Sequence, residues 1–241
     1  MTMSDLALTT AEMEALWLSL KVGLIGVAVS LPLGILVAWA LSRREFPGKF
    51  ALDIAVHLPL VMPPVVTGYL LLLTLGNRGA VGSFLQDYFG FTFAFNWKGA
   101  ALAAAIMGFP LLVRALRLSF DAVDRRLEQA ARTLGASPFD TMRSITLPLI
   151  MPGLITGALL SFARGIGEFG ATITFVANIP GETQTLPIAL YSALQSPGGE
   201  IRAMRLLILS IVLAVGALAA SEVLAARMRR RTHGTQAERT G

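Results

Sequence analysis

Runs of apolar residues long enough to cross a bilayer constrain this chain more than any other feature. About 20 helical residues, rising 1.5 Å each, cross a hydrocarbon core of roughly 30 Å. Five runs here have that character, at about 16–41, 51–75, 99–118, 149–177 and 203–225. A soluble domain of 241 residues buries a good core without them. A bilayer offers no water to satisfy stray backbone groups, so such runs span as helices. The expected fold is therefore an all-α polytopic membrane protein of about five transmembrane helices. Residues 1–14 precede the first span and residues 226–241 form a basic tail.

Residues 1–14 carry Asp5, Glu12 and Glu14 but no lysine or arginine, the wrong start for a cleaved signal peptide. The chain has no cysteine, which excludes a disulfide framework, a thiolate nucleophile and a Cys-ligated metal. It has no GxxxxGK[ST] phosphate loop and no HExxH, and His57 and His233 are too far apart in sequence to point to a metal site. The net charge of +5 matters less than where the charges fall. Arg43, Arg44, Lys49, Arg114, Arg117, Arg125, Arg126, Arg132, Arg143 and the tail arginines Arg227, Arg229, Arg230, Arg231 and Arg239 share one side. Lys21, Arg78, Lys98, Arg202 and Arg205 share the other. The richer side is expected to be cytoplasmic, which puts the N-terminus outside and the C-terminus inside. A basic tail of this kind is a topology signal before it is a nucleic-acid contact, and no nucleic-acid partner is expected.

Within the spans, breaks mark candidate pathway residues. Pro63 and Pro64, followed by Thr67 and Gly68, interrupt the second run. Freed carbonyls are tolerated only against protein or a wet cavity, so this is either a pathway lining or a packing kink. Gly153 and Gly157 form a GxxxG step suited to close helix approach. Arg164 and Glu168 lie four apart in an apolar run, either as a self-satisfied structural pair or as part of a pathway with Gly170 and Thr172. Gly165 to Gly170 matches the dinucleotide fingerprint GxGxxG, but a membrane run is the wrong context for it. Aromatics from Phe84 to Trp97 read as an interfacial belt. Leu186–Leu194 reads as a short helix at the surface or dipping inward.

The one long polar stretch inside this apolar chain is Ser119 to Pro148. Phe120, Val123, Leu127, Ala130, Ala131 and Leu134 fall on one face at helical spacing. Gly135 stands where a left-handed cap is expected. Ser137, Pro138 and Asp140 then predict the capped start of a second helix, with Pro148 opening the next segment. The prediction is helix, glycine turn, helix over 119–148, on the cytoplasmic side.

This stretch resembles the coupling loop of ABC-importer permeases. In that family Glu-Ala-Ala is followed after three residues by Gly, after nine more by Ile, and after one more by Leu-Pro. Here Gln129, Ala130, Ala131, Gly135, Ile145, Leu147 and Pro148 stand at those positions. The glutamate position holds Gln129, and the neighbouring Glu128 is the nearest carboxylate. Glu168 to Thr172, Asn178 to Gly181 and Thr183 to Pro187 further resemble the molybdate-type branch. The resemblance covers about 15–225 and implies the type I importer transmembrane fold. It implies an ATP-driven oxyanion importer in a bacterial inner membrane, for molybdate or, as alternatives, for tungstate, sulfate or thiosulfate. It implies as partners a cytoplasmic ATPase dimer, a periplasmic oxyanion-binding protein, a second copy of the chain, and membrane lipid. ATP and magnesium would sit on the ATPase, with no cofactor in this chain. Residues 128–131, 135, 145, 147 and 148 would couple to the ATPase. The second and fourth spans, with Pro63, Pro64, Thr67, Gly68, Arg164, Glu168, Gly170 and Thr172, are the gate candidates. An ion-coupled secondary transporter is the reading from another class. It asks for inverted repeats, and no clear internal repeat is visible.

Overall fold

The computed structural model describes residues 8–237. The first helix, α1 (Thr10–Arg43), starts from a capping box: Thr9 Oγ1 accepts the Glu12 N–H at 3.4 Å, and the Glu12 carboxylate accepts the Thr9 N–H at 2.8 Å. The helix thus begins six residues ahead of the predicted apolar run. Glu12, expected in a polar leader, is fully buried and takes the Arg205 Nε–H at 2.9 Å. Residues 1–7, and the end of the predicted tail over 238–241, lie outside the described residues.

The predicted second span is two helices, α2 (Lys49–Val61) and α3 (Pro64–Leu75), bent by 116°. At 1.5 Å per residue neither half alone crosses a core of about 30 Å. The break has a local cause. Met62 precedes a proline and is extended, at φ −73° and ψ 143°. Pro63 and Pro64 then supply no N–H to continue the ladder, and Pro64 suits the first turn of α3.

The expected aromatic segment holds a further short helix, α4 (Ala80–Phe89), whose Phe84 and Tyr88 rings lie 4.7 Å apart with both residues exposed. The central helix is α5 (Trp97–Ala122), started by Asn96, whose side chain accepts the Lys98 and Gly99 N–H groups. Small residues let α1 and α5 close on each other. A Cβ on Gly26 would stand 3.1 Å from the Ala101 carbonyl, and one on Gly34 would meet Leu112 at 2.8 Å. Around α5 lie two apolar cores. One joins Leu18, Val22, Ala104, Met107 and Phe175; the other joins Leu41, Leu112, Leu116, Phe120 and Ile150.

Two short loop helices follow, α6 (Arg125–Thr133) and α7 (Pro138–Thr141), then a π turn over Met142–Thr146 that runs directly into α8 (Leu147–Ile166). The predicted fourth span stops at Ile166 and resumes as α9 (Gly170–Val176). The predicted short helix appears as α10 (Leu186–Leu194), with the bounds read from sequence. The final helix, α11 (Glu200–Ala237), is apolar enough to span over 200–220. Among the described residues four helical segments are long and apolar enough to cross a membrane, or five if the bent α2–α3 pair is one span.

Candidate functional site

The predicted helix–Gly–helix is present but shorter than its apolar periodicity implied. Phe120 lies in the last turn of α5 rather than on the loop helix, and Phe120 and Val123 are buried in the core with Leu116 and Ile150. Asp124 breaks the helix and recaps it, its carboxylate accepting the Arg126 N–H at 2.9 Å. What remains of the apolar face on α6 is unburied. Leu127 and Leu134 are exposed, and no residue of α6 is buried. The turn is a Schellman cap: the Gly135 N–H bonds the Arg132 carbonyl and the Ala136 N–H bonds the Ala131 carbonyl, both at 3.0 Å. Gly135 sits at φ +91°, the left-handed region that a side chain disfavours. Ser137 Oγ accepts the Asp140 N–H at 3.1 Å, which caps α7. The return bond of the box goes to the Ser137 hydroxyl and not to its backbone.

Pro148 does not open a new segment. The chain from Pro138 to Ile166 is one continuous helical path of 29 residues. Pro148 cannot donate to the carbonyl four residues back, and its ring crowds that turn. The π turn relieves this by widening the helix just ahead of it, with the Leu147 N–H donating to the Met142 carbonyl five residues back. Ile145 lies in that turn and Leu147 begins α8, so the loop motif ends inside this continuous helical path.

Glu128 and its neighbour Gln129 point to different places. Glu128 faces inward, accepting the Thr146 hydroxyl at 2.8 Å and pairing with Arg43 at 3.3 Å. Gln129 and Ala130 are exposed. The carboxylate therefore ties α6 to α1 and to the π turn, and it is not part of the outward face.

The second set of candidates converges where α3 crosses α9. Gly68 on α3 and Gly170 at the start of α9 allow the contact. A Cβ on Gly68 would stand 2.4 Å from the Ala171 carbonyl, and one on Gly170 would stand 2.8 Å from Pro64 Cβ. Thr67 and Thr172 are both buried beside this crossing, and Thr67 Oγ1 has no hydrogen-bond partner among the described residues. Pro63 is exposed and Pro64 half-buried. Glu168 is 3% exposed. One of its oxygens accepts the Ala171 N–H at 2.7 Å, capping α9, and the other pairs with Arg164 at 2.6 Å. Geometrically this is a self-satisfied pair that also ends α8 and starts α9. The apparent GxGxxG lies across this helix break, where Glu168 N–H bonds the Gly165 carbonyl.

The polar stretch 178–187 is a bonded scaffold. Thr183 Oγ1 accepts the Ile179 N–H and donates to the Ala177 carbonyl; Gln184 reaches Asn178; and Ser19 on α1 accepts the Leu186 N–H at 2.7 Å. Sequence reading missed the Glu12–Arg205 pair, whose members are 193 positions apart. An acidic residue early in an apolar helix and an arginine early in the last one were the available signal.

Residues 30–230 match the family described as "Binding-protein-dependent transport system inner membrane component". The chain is 59% identical over 224 residues to the "Molybdenum transport system permease protein ModB" of Escherichia coli strain K12, covering 93% of this chain and 98% of that one. It is 52% identical to the protein of the same name from Haemophilus influenzae, covering 91% and 96%. In fold it is similar to a chain from the crystal structure of a bacterial ABC transporter involved in the import of the acidic polysaccharide alginate. The TM-score there is 0.68 at 18% identity, covering 93% of this chain and 80% of that one. The chain belongs to the family of binding-protein-dependent transport system inner membrane components, and it is an ABC-importer permease subunit whose ATPase is a separate chain.

Proposed function

We propose that this chain is the membrane subunit of a molybdate importer, working as a pair of copies between a cytoplasmic ATPase dimer and a periplasmic oxyanion-binding protein. Support for the substrate is the 59% identity to a molybdenum-transport permease along nearly the whole of both chains. The excess of arginine around α6 and at the α1–α2 turn supports a cytoplasmic position for that side, with the N-terminus outside.

The observation that carries the mechanism is the exposed α6–Gly135–α7 module fused through the π turn to α8. An amphipathic helix with an open apolar face fits a groove on a partner. Leu127, Gln129, Ala130 and Leu134 offer that face to the ATPase, with Ala131, Gly135, Ile145, Leu147 and Pro148 shaping it. Displacement of the module by the ATPase moves the rod from Pro138 to Ile166. The far end of the rod is the Arg164–Glu168 break, next to the α3–α9 crossing. In this reading Pro63, Pro64, Thr67, Gly68, Gly170 and Thr172 form the gate, with Arg164 and Glu168 as its fixed hinge. ATP binding and hydrolysis bias the gate because the two permease states make different contacts at the ATPase. ATP and magnesium belong to the ATPase, and the chain's own work is mechanical.

The test is co-purification of the tagged permease with the products of neighbouring genes, with and without Gly135→Asp, followed by molybdate uptake in proteoliposomes. The expected result is an ATP-hydrolysing chain recovered with the natural protein and lost with the variant. Uptake of molybdate should compete with tungstate more strongly than with sulfate. Recovery of the permease alone, with uptake driven by a proton gradient, would overturn the coupling role and favour a secondary transporter.

A further inference from the structure

The two flanks of α2 differ in chemistry. Toward α1 lies an apolar groove of about 430 Å³, walled by Leu33, Val37, Val56, Pro59 and Phe109. The other flank opens on a polar hollow of about 490 Å³ lined by Asp53, His57, Arg114, Arg117 and Asp121. A further hollow of about 490 Å³, between α5 and α8, has a mainly apolar wall that includes Leu111, Leu118, Pro152 and Leu160, with Arg114 and Thr156 among its polar groups. The two hollows share Arg114 and Leu118 and adjoin as one trough along α5, charged on the α2 side and mainly apolar on the α8 side.

Most charges in the trough are already matched. Arg117 donates to Asp53 at 3.1 Å, His57 Nδ1 lies 3.3 Å from the same carboxylate oxygen, and Asp121 accepts the Ser42 hydroxyl. Arg114 is exposed and makes no hydrogen bond or ion pair among the described residues. It lies eight residues before Ala122, the last residue of α5, or about 12 Å along the axis. An unpaired guanidinium on a membrane-spanning helix reaches for water or an anion, and Arg114 lines both hollows.

We propose that the trough between α2, α5 and α8 is the water-filled cytoplasmic vestibule of the pathway, and that Arg114 is the residue that contacts the oxyanion there. The proposal rests on the oxyanion-import reading given above. A guanidinium presents paired N–H donors that match a tetrahedral oxyanion. The carboxylates of Asp53 and Asp121 in the same hollow oppose the anion's charge, so the contact holds it briefly and lets it leave. The apolar flank toward α1 has no such group and faces lipid.

The natural chain has no cysteine, so a single thiol reports one position. The permease carrying Arg114→Cys is reconstituted with its ATPase and binding protein, and molybdate is the probe. Uptake is expected to fall about tenfold, the loss of one charged hydrogen-bonding contact. Reaction from the cytoplasmic side with an aminoethyl thiosulfonate restores a cation, and is expected to recover at least half of the uptake. The sulfonatoethyl reagent, which installs an anion of similar size, recovers none. Equal recovery with both reagents, or uptake unchanged by the substitution, overturns the role of Arg114. If Arg114→Cys does not assemble, Thr156→Cys on the same wall takes its place, and failure to react with the sulfonatoethyl reagent in every nucleotide state overturns the vestibule. A natural complex that takes up no molybdate overturns the substrate reading instead, because thiol reactivity does not depend on which anion is carried.

Discussion

The α6–Gly135–α7 module and the α3–α9 crossing are held in opposite ways. The module is made of local bonds: two caps, a Schellman turn, and one inward carboxylate. Its apolar face is open to solvent. The crossing has almost no local determinant. Two glycines, 68 and 170, stand about a hundred positions apart and let backbones meet at distances no side chain allows. An exposed surface, which in the proposed reading receives the ATPase, tolerates change without unfolding its own chain. A crossing packed to backbone contact does not. Substitutions should therefore separate assembly from stability according to region.

The largest effect is expected at the crossing. Gly68→Val forces a Cβ to 2.4 Å from the Ala171 carbonyl, and overpacking of that kind costs about 3 kcal/mol. The check is the melting temperature of the detergent-purified permease and its level in membranes. A valine variant as stable as the natural chain would break the distinction between the regions. Next comes Glu168→Ala, which removes the cap on α9 and strips Arg164 of its partner. Loss of a buried charge-assisted pair costs about 2–3 kcal/mol. Arg164→Ala should cost less, because Arg164 is 28% exposed and water partly replaces its contact. A double-mutant cycle should give a coupling of about 1–2 kcal/mol. Zero coupling would mean that the two residues act separately, which would strengthen a pathway role for each.

What could be read from the sequence follows the same division. Gly135, Ser137 and Pro138 announce their caps because capping is settled within four residues. The bounds of α10 were legible for the same reason, with Pro187 in its first turn and polar residues on either side. The prolines at 63 and 64 announced a break, but the direction of the 116° bend depends on where Gly68 meets Ala171. Phe120 and Val123 fit the loop helix by periodicity. Their burial against Leu116 and Ile150 was decided by a core assembled from distant segments. The π turn was hidden because a proline inside an apolar run reads equally well as a fresh start. Glu12 and Arg205 needed the fold to bring them together.

A smaller effect is expected in the module. Gly135→Ala meets no neighbour, since nothing lies within 4 Å of its built Cβ, but it strains a φ of +91°. The cost is about 1 kcal/mol, enough to lower the docked fraction roughly fivefold. Purified with its ATPase, the variant should lose partner and keep nearly its own melting temperature. A fall in melting temperature as large as that of Gly68→Val would show that the module is integral to the core.

The finest division lies between two adjacent residues. Glu128→Gln weakens the bonds to Thr146 and Arg43 and should cost about 1 kcal/mol of permease stability. Gln129→Glu changes an exposed side chain and should leave stability within about 0.5 kcal/mol. It places a carboxylate on the outward face, where the family pattern has one, so its effect should appear as altered ATPase retention and altered salt dependence of assembly. Inward and outward roles are thereby assigned to neighbouring positions by two readouts. If Glu128→Gln changed retention without touching stability, the carboxylate at 128 would swing outward in the assembled complex. The inward tie to the π turn would then be a feature of the undocked permease alone, released when the ATPase binds.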